Sequence, residues 1–519
     1  MPLSAKEVRA MTVWTVIGIL LVLGLMVAVG LFSGKKVKNA GDFLSGGGKA
    51  GAWLVCGGIM GALVSSQATI GTAQLAFHYG LSAWWFTLGS GIGCLILGLV
   101  YAKPLRKSGC ITEMQIITGE YGTRIGSAGA ILSAIGIFIS VLSNVIACTG
   151  LVSTMFPVWP MAIAALAAIL LMAVYVIFGG AWGAGLGGIL KMILLYGACV
   201  VGMVCALSMT GGPSGLMDSI RQLLCGTPLG AMQQEVNGAS TLASEGDLTA
   251  RFLNLTARGA SKDIGSGISL LLGVLSTQTY AQAIWSGKSH RSARRGAMLG
   301  TILIPPLGIA GICIGLYMRG HYLLQAEVDA LTAAGQAVPD LPVLNGTIQV
   351  FPTFIMDHLP PLLAGIVLGT LLVTAVAGGA GLAFGVSTIL VKDIFSRFTK
   401  GDRELLQTRL TIGGVLLAAG VLTVLVPGSA INDFGFLSMG LRGSVVLVPL
   451  SCALWCKGRI DARYVLLSVI LAPLSILIGN FLPLPFDALF LGVGISILCC
   501  AFGFVSHRIR KTAGLSGMP

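Results

Sequence analysis

Charged residues are scarce in this sequence, and acidic residues are the scarcest. Only 10% of the 519 residues are charged, with 19 Asp and Glu against 32 Lys and Arg, whereas 55% are hydrophobic. A soluble domain could not bury so much apolar surface in one core. No cluster of His, Cys or acidic residues falls within the long apolar runs, which argues against an enzyme active site. The apolar surface must face lipid, so we predict an all-α integral membrane protein.

The apolar runs predict about thirteen transmembrane helices. Crossing a hydrocarbon core of roughly 30 Å takes about 20 apolar residues, and windows of that kind lie near 11–33, 51–74, 81–102, 125–150, 157–179, 186–210, 262–283, 294–318, 361–391, 407–427, 434–456, 462–481 and 485–506. The first run is too long for a signal peptide and is expected to stay as a helix. The 12 cysteines have no CxxC-type spacing and are interpreted as packing residues, not as disulfides or a metal site.

Basic residues predict the orientation of the chain. Most of the 32 Lys and Arg fall in alternate loops, at 35–49, 103–124, 288–295, 392–409, 457–463 and 508–511. Basic loops stay in the cytoplasm, so the N-terminus is expected outside and the C-terminus inside a cell membrane. The net charge of +13 is therefore a topology signal and does not indicate a nucleic-acid partner.

Two long loops, 211–261 and 319–360, are predicted outside. The first includes an amphipathic stretch at 216–224 and a polar run at 233–247. They are either extracellular caps or mobile connectors.

Two polar tracts repeat along the chain. SSQAT at 65–69 lies within the second apolar run, and STQTY at 276–280 lies within the seventh. These runs start two sets of five helices, and an odd number inverts the second set, as in inverted-repeat transporters with a midplane site at broken helices. Hydrogen bonding between helices is the simpler explanation of either tract alone. The predicted units are 1–50 (first helix and cytoplasmic loop), 51–210 and 262–456 (the two repeats), 211–261 (outer loop) and 457–519 (two final helices and tail).

Four motifs resemble the sodium:solute symporter family. They are DFLSGG at 42–47, QTYAQ at 278–282 with KS at 288–289 and ARRGA at 293–297, LPPLLAGIV at 359–367, and ST at 387–388 followed by DIF at 393–395. The resemblance implies a five-plus-five inverted-repeat core, alternating access and, in most members, solute uptake driven by Na⁺.

The sequence departs from that family at the expected sodium site. Its carbonyl ligands would come from Gly61 and Val64, and its hydroxyl ligands from a Ser-Ser pair that is replaced here by Ala377 and Gly378, with Thr374 one turn earlier. The family's Thr-Asp pair falls at 187–188, which are both glycine. A hard cation needs a shell of oxygens, and all 19 acidic residues are expected in loops or at helix ends. We therefore expect a degenerate Na⁺ site, and no other cofactor.

Lys191 is one of two basic residues predicted inside the membrane. It lies three residues after the missing Asp, on the same helical face, so its ammonium is predicted to occupy the vacant cation site. A desolvated lysine can also release its proton, which would couple transport to H⁺. The alternative is that Lys191 snorkels to the cytoplasmic surface.

Arg442 is the other basic residue predicted inside the membrane. It lies about 12 Å from the start of its predicted helix, at 1.5 Å per residue. Its planar guanidinium suits a solute carboxylate. The alternative is that Arg442 has a structural role and that unwound backbone accepts the hydrogen bonds of its guanidinium.

The remaining candidate solute-binding residues mix aromatic and amide groups, which suits a small carboxylate or amino acid better than a sugar. They are Gln67, Trp84, Trp85, Phe86, Ser140, Ser143, Asn144, Gln278, Tyr280 and Phe436. The predicted function is secondary transport of such a solute, with Na⁺ coupling as the family default and an H⁺-coupled or uncoupled exchanger as the alternative. The expected partners are the solute and the bilayer, and the chain is expected to be a monomer or weak homo-oligomer.

Overall fold

The computed structural model describes residues 11–34, 48–156, 158–232, 245–397, 404–425 and 431–512. For residues 177–184 it describes the backbone and not the side chains. The DFLSGG motif at 42–47 and the polar run at 233–244 lie outside these ranges. Within them the chain is almost entirely helical, because apolar sequence in lipid must satisfy its backbone hydrogen bonds internally.

The described residues of the first half of the chain form eight α-helices. They are α1 (Val13–Gly34), α2 (Ala52–Leu63), α3 (Ile70–Tyr79), α4 (Trp85–Ile96), α5 (Ala102–Ser108), α6 (Glu113–Tyr121), α7 (Thr123–Met155) and α8 (Met161–Thr210). Two 3₁₀ turns (Ser66–Ala68 and Gly80–Trp84) and a π turn (Leu97–Tyr101) connect α2 to α5.

The described parts of the two connections predicted outside are folded segments. The first holds α9 (Pro213–Leu224), α10 (Pro228–Met232) and α11 (Glu245–Phe252), and the second holds β1 (Leu323–Leu324), α16 (Gln325–Ala333), β2 (Val343–Leu344), a 3₁₀ turn (Thr347–Gln349) and α17 (Val350–His358). The two strands pair in parallel. Leu216, Ile220 and Leu224 recur every four residues and are all buried, so the amphipathic stretch packs as a helix, and the mobile-connector alternative is wrong for the described parts.

The second half completes the bundle. It contains α12 (Ala260–Leu275), α13 (Gln278–Ser286), α14 (His290–Leu303), α15 (Pro305–His321), α18 (Pro361–Ile389), α19 (Glu404–Leu425), α20 (Ile431–Trp455), α21 (Ala462–Gly479) and α22 (Ala488–Thr512). A π turn (Leu390–Ile394) and a 3₁₀ turn (Phe395–Arg397) follow α18.

The described ranges contain nine helical segments that are long and apolar enough to cross a membrane, and three shorter apolar helices. These numbers are compatible with the predicted thirteen spans. The boundary predicted between 157–179 and 186–210 is wrong, since α8 continues from Met161 to Thr210. No proline interrupts that glycine-rich stretch, and a helical backbone satisfies its own polar groups there.

α18 is the central helix of the bundle. It packs against α1, α7 and α8, and 83% of its most apolar window is buried. Helices at the periphery expose large apolar side chains instead, such as Ile193 (66%) and Leu410 (67%). This all-α, five-plus-five arrangement surrounds two broken helices near its middle.

Candidate functional site

The first polar tract breaks a helix. α2 ends at Leu63, Val64 leaves helical geometry (φ −81°, ψ 83°), and α3 begins at Ile70. Residues 64–69 are all buried. Because the last carbonyls of an α-helix have no partner within it, the oxygens of Gly61 and Val64 remain available to a ligand.

Facing glycines bring α8 onto α2. A Cβ atom on Gly188 would lie 1.9 Å from the Gly57 carbonyl oxygen, and one on Gly57 would lie 2.4 Å from the Gly185 oxygen. Only glycine fits on either side of this contact. Lys191 and Gly61 each lie about one turn further along these helices, so the same contact places Lys191 opposite the end of α2.

The Lys191 ammonium is bound by the broken helix. Its Nζ donates to the carbonyl oxygens of Gly61 at 2.6 Å and Val64 at 2.5 Å, and the residue is fully buried. A cation is favourable at a helix C-terminus, where the macrodipole is negative. The snorkelling alternative is therefore wrong for this structure.

The facing wall, on α18, offers few further oxygens. The Thr374 hydroxyl donates to the Thr370 carbonyl of its own helix at 2.7 Å, and Ala377 supplies no oxygen. A Cβ atom on Gly378 would lie 2.5 Å from the Ser65 Cβ, so this position has no room for a side chain. The structure brings Gly61, Val64 and Lys191 together, without the paired hydroxyls that the family resemblance assigns to the ion.

The second polar tract also breaks a helix. α12 ends at Leu275, Thr277 is extended, and α13 begins at Gln278. The Gln278 amide reaches the segment before α6, where it donates to the Ile111 carbonyl at 2.8 Å and accepts from the Glu113 N–H at 3.1 Å. Gln278 thus holds α13 to α6 here, with its amide oxygen and nitrogen engaged by protein backbone.

Polar side chains join the first break to α7 and α20. Gln67 donates to the Ser143 hydroxyl at 3.0 Å, and Ser66 donates to the Asn144 amide oxygen at 2.8 Å. Asn144 donates in turn to the Ser140 carbonyl at 2.9 Å, and the Ser140 hydroxyl donates to Ser438 at 2.7 Å. This network holds the broken segment in place. A solute that bound here would have to replace hydrogen bonds that these side chains already make with one another.

The predicted aromatic residues divide into two groups. Phe86 and Phe436 contact each other with ring centroids 5.8 Å apart, and Phe436 lines a cavity of about 190 Å³ with Arg258 and Asp487. The indole nitrogens of Trp84 and Trp85 donate instead to the backbone carbonyls of Pro305 (2.9 Å) and Leu255 (2.7 Å). Phe436 therefore borders the cavity and Phe86 contacts Phe436, whereas the tryptophans anchor the start of α4.

Arg442 is fully buried and incompletely bonded. Its Nη2 donates to the Met439 sulfur on the same helix, while Nε and Nη1 have no partner among the described residues. No described backbone carbonyl accepts from it, so the alternative of a backbone-satisfied arginine is wrong here. Its charged and titratable neighbours are Glu113 and Tyr280, and the Tyr280 hydroxyl is also buried without a partner.

Three acidic residues among the described ones lie at helix ends, as predicted, but are buried. Glu113 is 3% exposed, Asp263 0% and Asp393 4%. Asp263 pairs with Arg258 at 2.7 Å, and Asp393 accepts from the Thr112 hydroxyl at 2.9 Å. The sequence places each of them near a helix end, which is correct, but α6 and the start of α12 pack against the bundle.

Glu113 is the acid that lies near Arg442. Burial raises the pKa of its carboxyl to about 8, and the positive charge of Arg442 opposes that rise. The sequence signal that could have found it is the capping box at the start of α6, in which Thr112 and Gln115 bond each other's backbone. A capping box in the sequence marks the start of a helix. It could therefore have placed Glu113 on a short helix that packs against the bundle.

Comparisons with known proteins agree on the fold. The Sodium:solute symporter family matches residues 43–457 of this chain. The chain is similar to a structure of a Na⁺-coupled sialic acid symporter, with a TM-score of 0.70, 17% identity and coverage of 96% of this chain and 98% of that one. It is less similar to Mhp1, a nucleobase-cation-symport-1 family transporter, with a TM-score of 0.55, 10% identity and coverage of 92% and 96%.

Curated relatives are symporters and transporters. "Uncharacterized symporter YwcA" of Bacillus subtilis is 22% identical over 411 residues, which cover 78% of this chain and 73% of that protein. "High affinity choline transporter 1" of Homo sapiens is 23% identical over 464 residues, which cover 84% and 71%. With the family match extending over most of its length and the broken-helix fold behind it, the chain belongs to the sodium:solute symporter family of multi-pass membrane transporters.

Proposed function

We propose that this protein carries a small carboxylate or amino acid across the cytoplasmic membrane by alternating access, with the Lys191 ammonium in the place of a coupling Na⁺. The observation that carries the proposal is the pair of hydrogen bonds from Nζ to the carbonyl oxygens of Gly61 and Val64. These are the two backbone oxygens that the family resemblance assigns to the ion.

The repulsion between two positive charges supports the proposal that the Lys191 ammonium replaces Na⁺ and does not bind beside it. Two unit positive charges 4 Å apart repel by about 4 kcal/mol at an effective dielectric constant of 20. A penalty of that size lowers the affinity for Na⁺ by roughly a thousandfold. The absence of a hydroxyl at Ala377 and of side-chain room at Gly378 removes the ligands that might offset it.

The chemistry of Arg442 supports an anionic solute. A fully buried guanidinium with two unpartnered nitrogens favours a carboxylate, which can accept two parallel hydrogen bonds from it. The same charge disfavours a cation. The named solutes of the relatives, sialic acid and choline, differ in charge, so the preference for an acid depends on Arg442 and not on the comparisons.

The second candidate is an uncoupled exchanger. It is favoured by the same observation, because an amine fixed to the protein cannot be carried across the membrane with the solute. A proton released by Lys191 would make the transporter H⁺-coupled instead. A pH gradient would drive net accumulation of solute by an H⁺-coupled transporter, and would not drive it by an uncoupled exchanger.

Counterflow in proteoliposomes tests the proposal. Proteoliposomes that contain the purified protein are loaded with unlabelled acetate, lactate, benzoate or alanine, or with choline for comparison, and entry of the labelled compound is measured in NaCl and in KCl. We expect counterflow of at least one of the four carboxylates, at the same rate in both salts. Counterflow by the Lys191→Ala variant should be faster in NaCl than in the other salt. Cys199→Ala, which changes a buried residue on the same helix, should behave as wild type.

A wild-type rate that rises severalfold in Na⁺ would refute the role of Lys191. Counterflow of choline but of none of the acids would refute the anionic solute. A pH gradient applied in the same vesicles separates a coupled transporter, which accumulates solute, from an exchanger, which does not.

A further inference from the structure

A polar cavity lies on the side of the bundle that the basic residues predict outside. Its volume is about 190 Å³, and it lies between the N-terminal halves of α12 and α20, the end of α21 and the start of α22. Four of the described side chains that line it are charged: the cations Arg258 and Lys262 and the acids Asp433 and Asp487. This space, named the outer cavity below, therefore presents both signs of charge to a ligand.

Arg258 is held at the wall of the outer cavity by a buried ion pair. Its Nε donates to the Asp263 carboxylate at 2.7 Å, and its backbone N–H donates to the other oxygen of that carboxylate at 2.9 Å. Nη2 donates to the Ser266 hydroxyl at 3.1 Å, and the guanidinium lies over the Phe436 ring, 5.3 Å from its centroid. No described residue accepts from Nη1, so this nitrogen can donate to a ligand.

The two acids of the outer cavity retain oxygens that can bind a cation. Asp487 is partly buried, and its Oδ1 accepts from the Leu489 N–H at 2.9 Å at the start of α22. No described residue donates to its Oδ2, or to the carboxylate of Asp433, which is exposed in the first turn of α20. An amine in the cavity could therefore bind these oxygens without displacing another protein group.

The charges determine which solute suits the outer cavity. With Asp263 included, two positive and three negative side chains leave a net charge of −1, so a carboxylate without an amine would make the site more negative. A zwitterion leaves the net charge unchanged. Its carboxylate can accept from Arg258 and Lys262, and its ammonium can donate to Asp433 and Asp487. At roughly 30 Å³ for each water molecule, the cavity holds about six, as many as the non-hydrogen atoms of alanine.

We infer that the outer cavity is a second binding site, for a zwitterionic amino acid, which the solute occupies before it reaches the centre of the protein. This inference rests on the proposed function. It narrows the solute from a small carboxylate to one that also carries an amine.

Phe436 separates the outer cavity from the first break. Its ring lines the cavity and contacts Phe86, with centroids 5.8 Å apart. A Cβ atom on the neighbouring Gly435 would lie 2.8 Å from the Gln67 amide nitrogen, so this turn of α20 packs directly on the broken segment. Displacement of the Phe436 ring would therefore connect the outer cavity to the polar groups at the break.

Protection of a cysteine placed in the outer cavity tests the inference. Ser269→Cys is a nearly isosteric change of a buried residue that lines the cavity, and mass spectrometry measures how fast methyl methanethiosulfonate modifies it in the purified protein. Leu253→Cys is the control, since Leu253 is 48% exposed and lies outside the cavity lining. The reagent is applied with alanine, with lactate, which lacks the ammonium, or with ethylamine, which lacks the carboxylate.

We expect alanine to slow the modification of Ser269→Cys. Lactate and ethylamine should do so only at concentrations about tenfold higher, because each lacks one charge-assisted contact. Leu253→Cys should react at one rate with all three. Adding Asp487→Asn, which keeps a capping side chain at the start of α22, should reduce the preference for alanine over lactate by about fivefold. Asp218→Asn, a change of an exposed acid away from the cavity, should preserve it.

Arg442→Gln separates the outer cavity from the central site. Arg442 faces Gly136 of α7 and does not line the cavity, so Ser269→Cys combined with Arg442→Gln should lose counterflow and keep the protection by alanine. Protection that disappears with Arg442, or that lactate gives as well as alanine, overturns the inference. If the combined variant does not fold, the comparison of Asp487→Asn with Asp218→Asn decides in the same way.

Counterflow distinguishes failure of the inference from failure of the proposed function. Alanine counterflow without protection of Ser269→Cys overturns the outer site and leaves the proposed function in place. Failure of alanine and of every other carboxylate to exchange overturns the proposed function, and the inference with it.

Discussion

If the Lys191 ammonium takes the place of Na⁺, replacing Lys191 by alanine should produce a protein that binds sodium. The change removes two charge-assisted hydrogen bonds, and each carbonyl left buried without a donor costs roughly 1 to 3 kcal/mol. Because the buried ammonium also carries a desolvation penalty that disappears with it, the net loss of stability should lie below the sum for the two carbonyls.

The vacated space should then accept Na⁺. Loss of the amine removes a repulsion of about 4 kcal/mol for an ion 4 Å away and leaves two carbonyl ligands on the C-terminal end of α2. Bound sodium stabilises the folded state by about 2.7 kcal/mol when its concentration is 100 times its dissociation constant. Thermal unfolding in detergent, in NaCl and in KCl of equal ionic strength, measures this effect.

We expect the Lys191→Ala variant to unfold at higher temperature in NaCl, and both wild type and Cys199→Ala to be indifferent to the cation. Adding Ala377→Ser to Lys191→Ala should strengthen the effect, because it restores one hydroxyl ligand. Equal stabilisation of wild type by Na⁺, or no response in either variant, would show that the reasoning about this pocket is wrong.

Three further changes test the contact between α2 and α8, the link between α13 and α6, and the buried acid Glu113. Gly188→Ala should abolish transport and lower thermal stability, because its Cβ would lie 1.9 Å from the Gly57 oxygen, whereas Gly197→Ala on the same helix meets nothing within 4 Å and should be neutral in both assays. Gln278→Ala frees the segment before α6, so a cysteine reagent should label the buried cysteines of the core faster than in wild type. Burial raises the Glu113 pKa to about 8, so wild-type stability should fall as pH rises from about 4.5 to about 8, by at most about 1.4 kcal/mol per pH unit; Glu113→Gln should flatten that part of the pH dependence of thermal unfolding.

The broken helices could be predicted because their cause is local. A tract such as SSQAT at 65–69 in an apolar run has polar groups that lipid cannot satisfy, and two such tracts at matching places indicate a repeat. Both breaks lie where the sequence predicts them. Lys191 could be predicted for a similar reason, since its spacing from Gly188 fixes the helical face on which it lies.

The closeness of α8 and α2 could not be predicted with the same precision. It depends on which glycines of a glycine-rich stretch face each other, and the contact between Gly57 and Gly188 is a tertiary pairing that neither helix specifies alone. The continuity of α8 through that stretch was missed because glycine is equally common in turns and in close helix contacts.

Buried acids were missed because burial of a short helix is a property of the whole fold. Glu113 lies in the predicted basic loop 103–124, between two predicted spans, a context typical of a solvated turn. In the structure α6 packs against α7 and α20, which buries its first residue. Gln278 was predicted to face a solute, and the same packing gives its amide backbone partners instead.

Binding of radioactive ²²Na⁺ to the purified wild-type protein tests the central claim most directly, with Lys191→Ala as the comparison. If the Lys191 ammonium occupies the cation position between Gly61 and Val64, wild type should show no saturable binding and Lys191→Ala should show one site. Saturable binding of Na⁺ to wild type at millimolar concentration would contradict the claim.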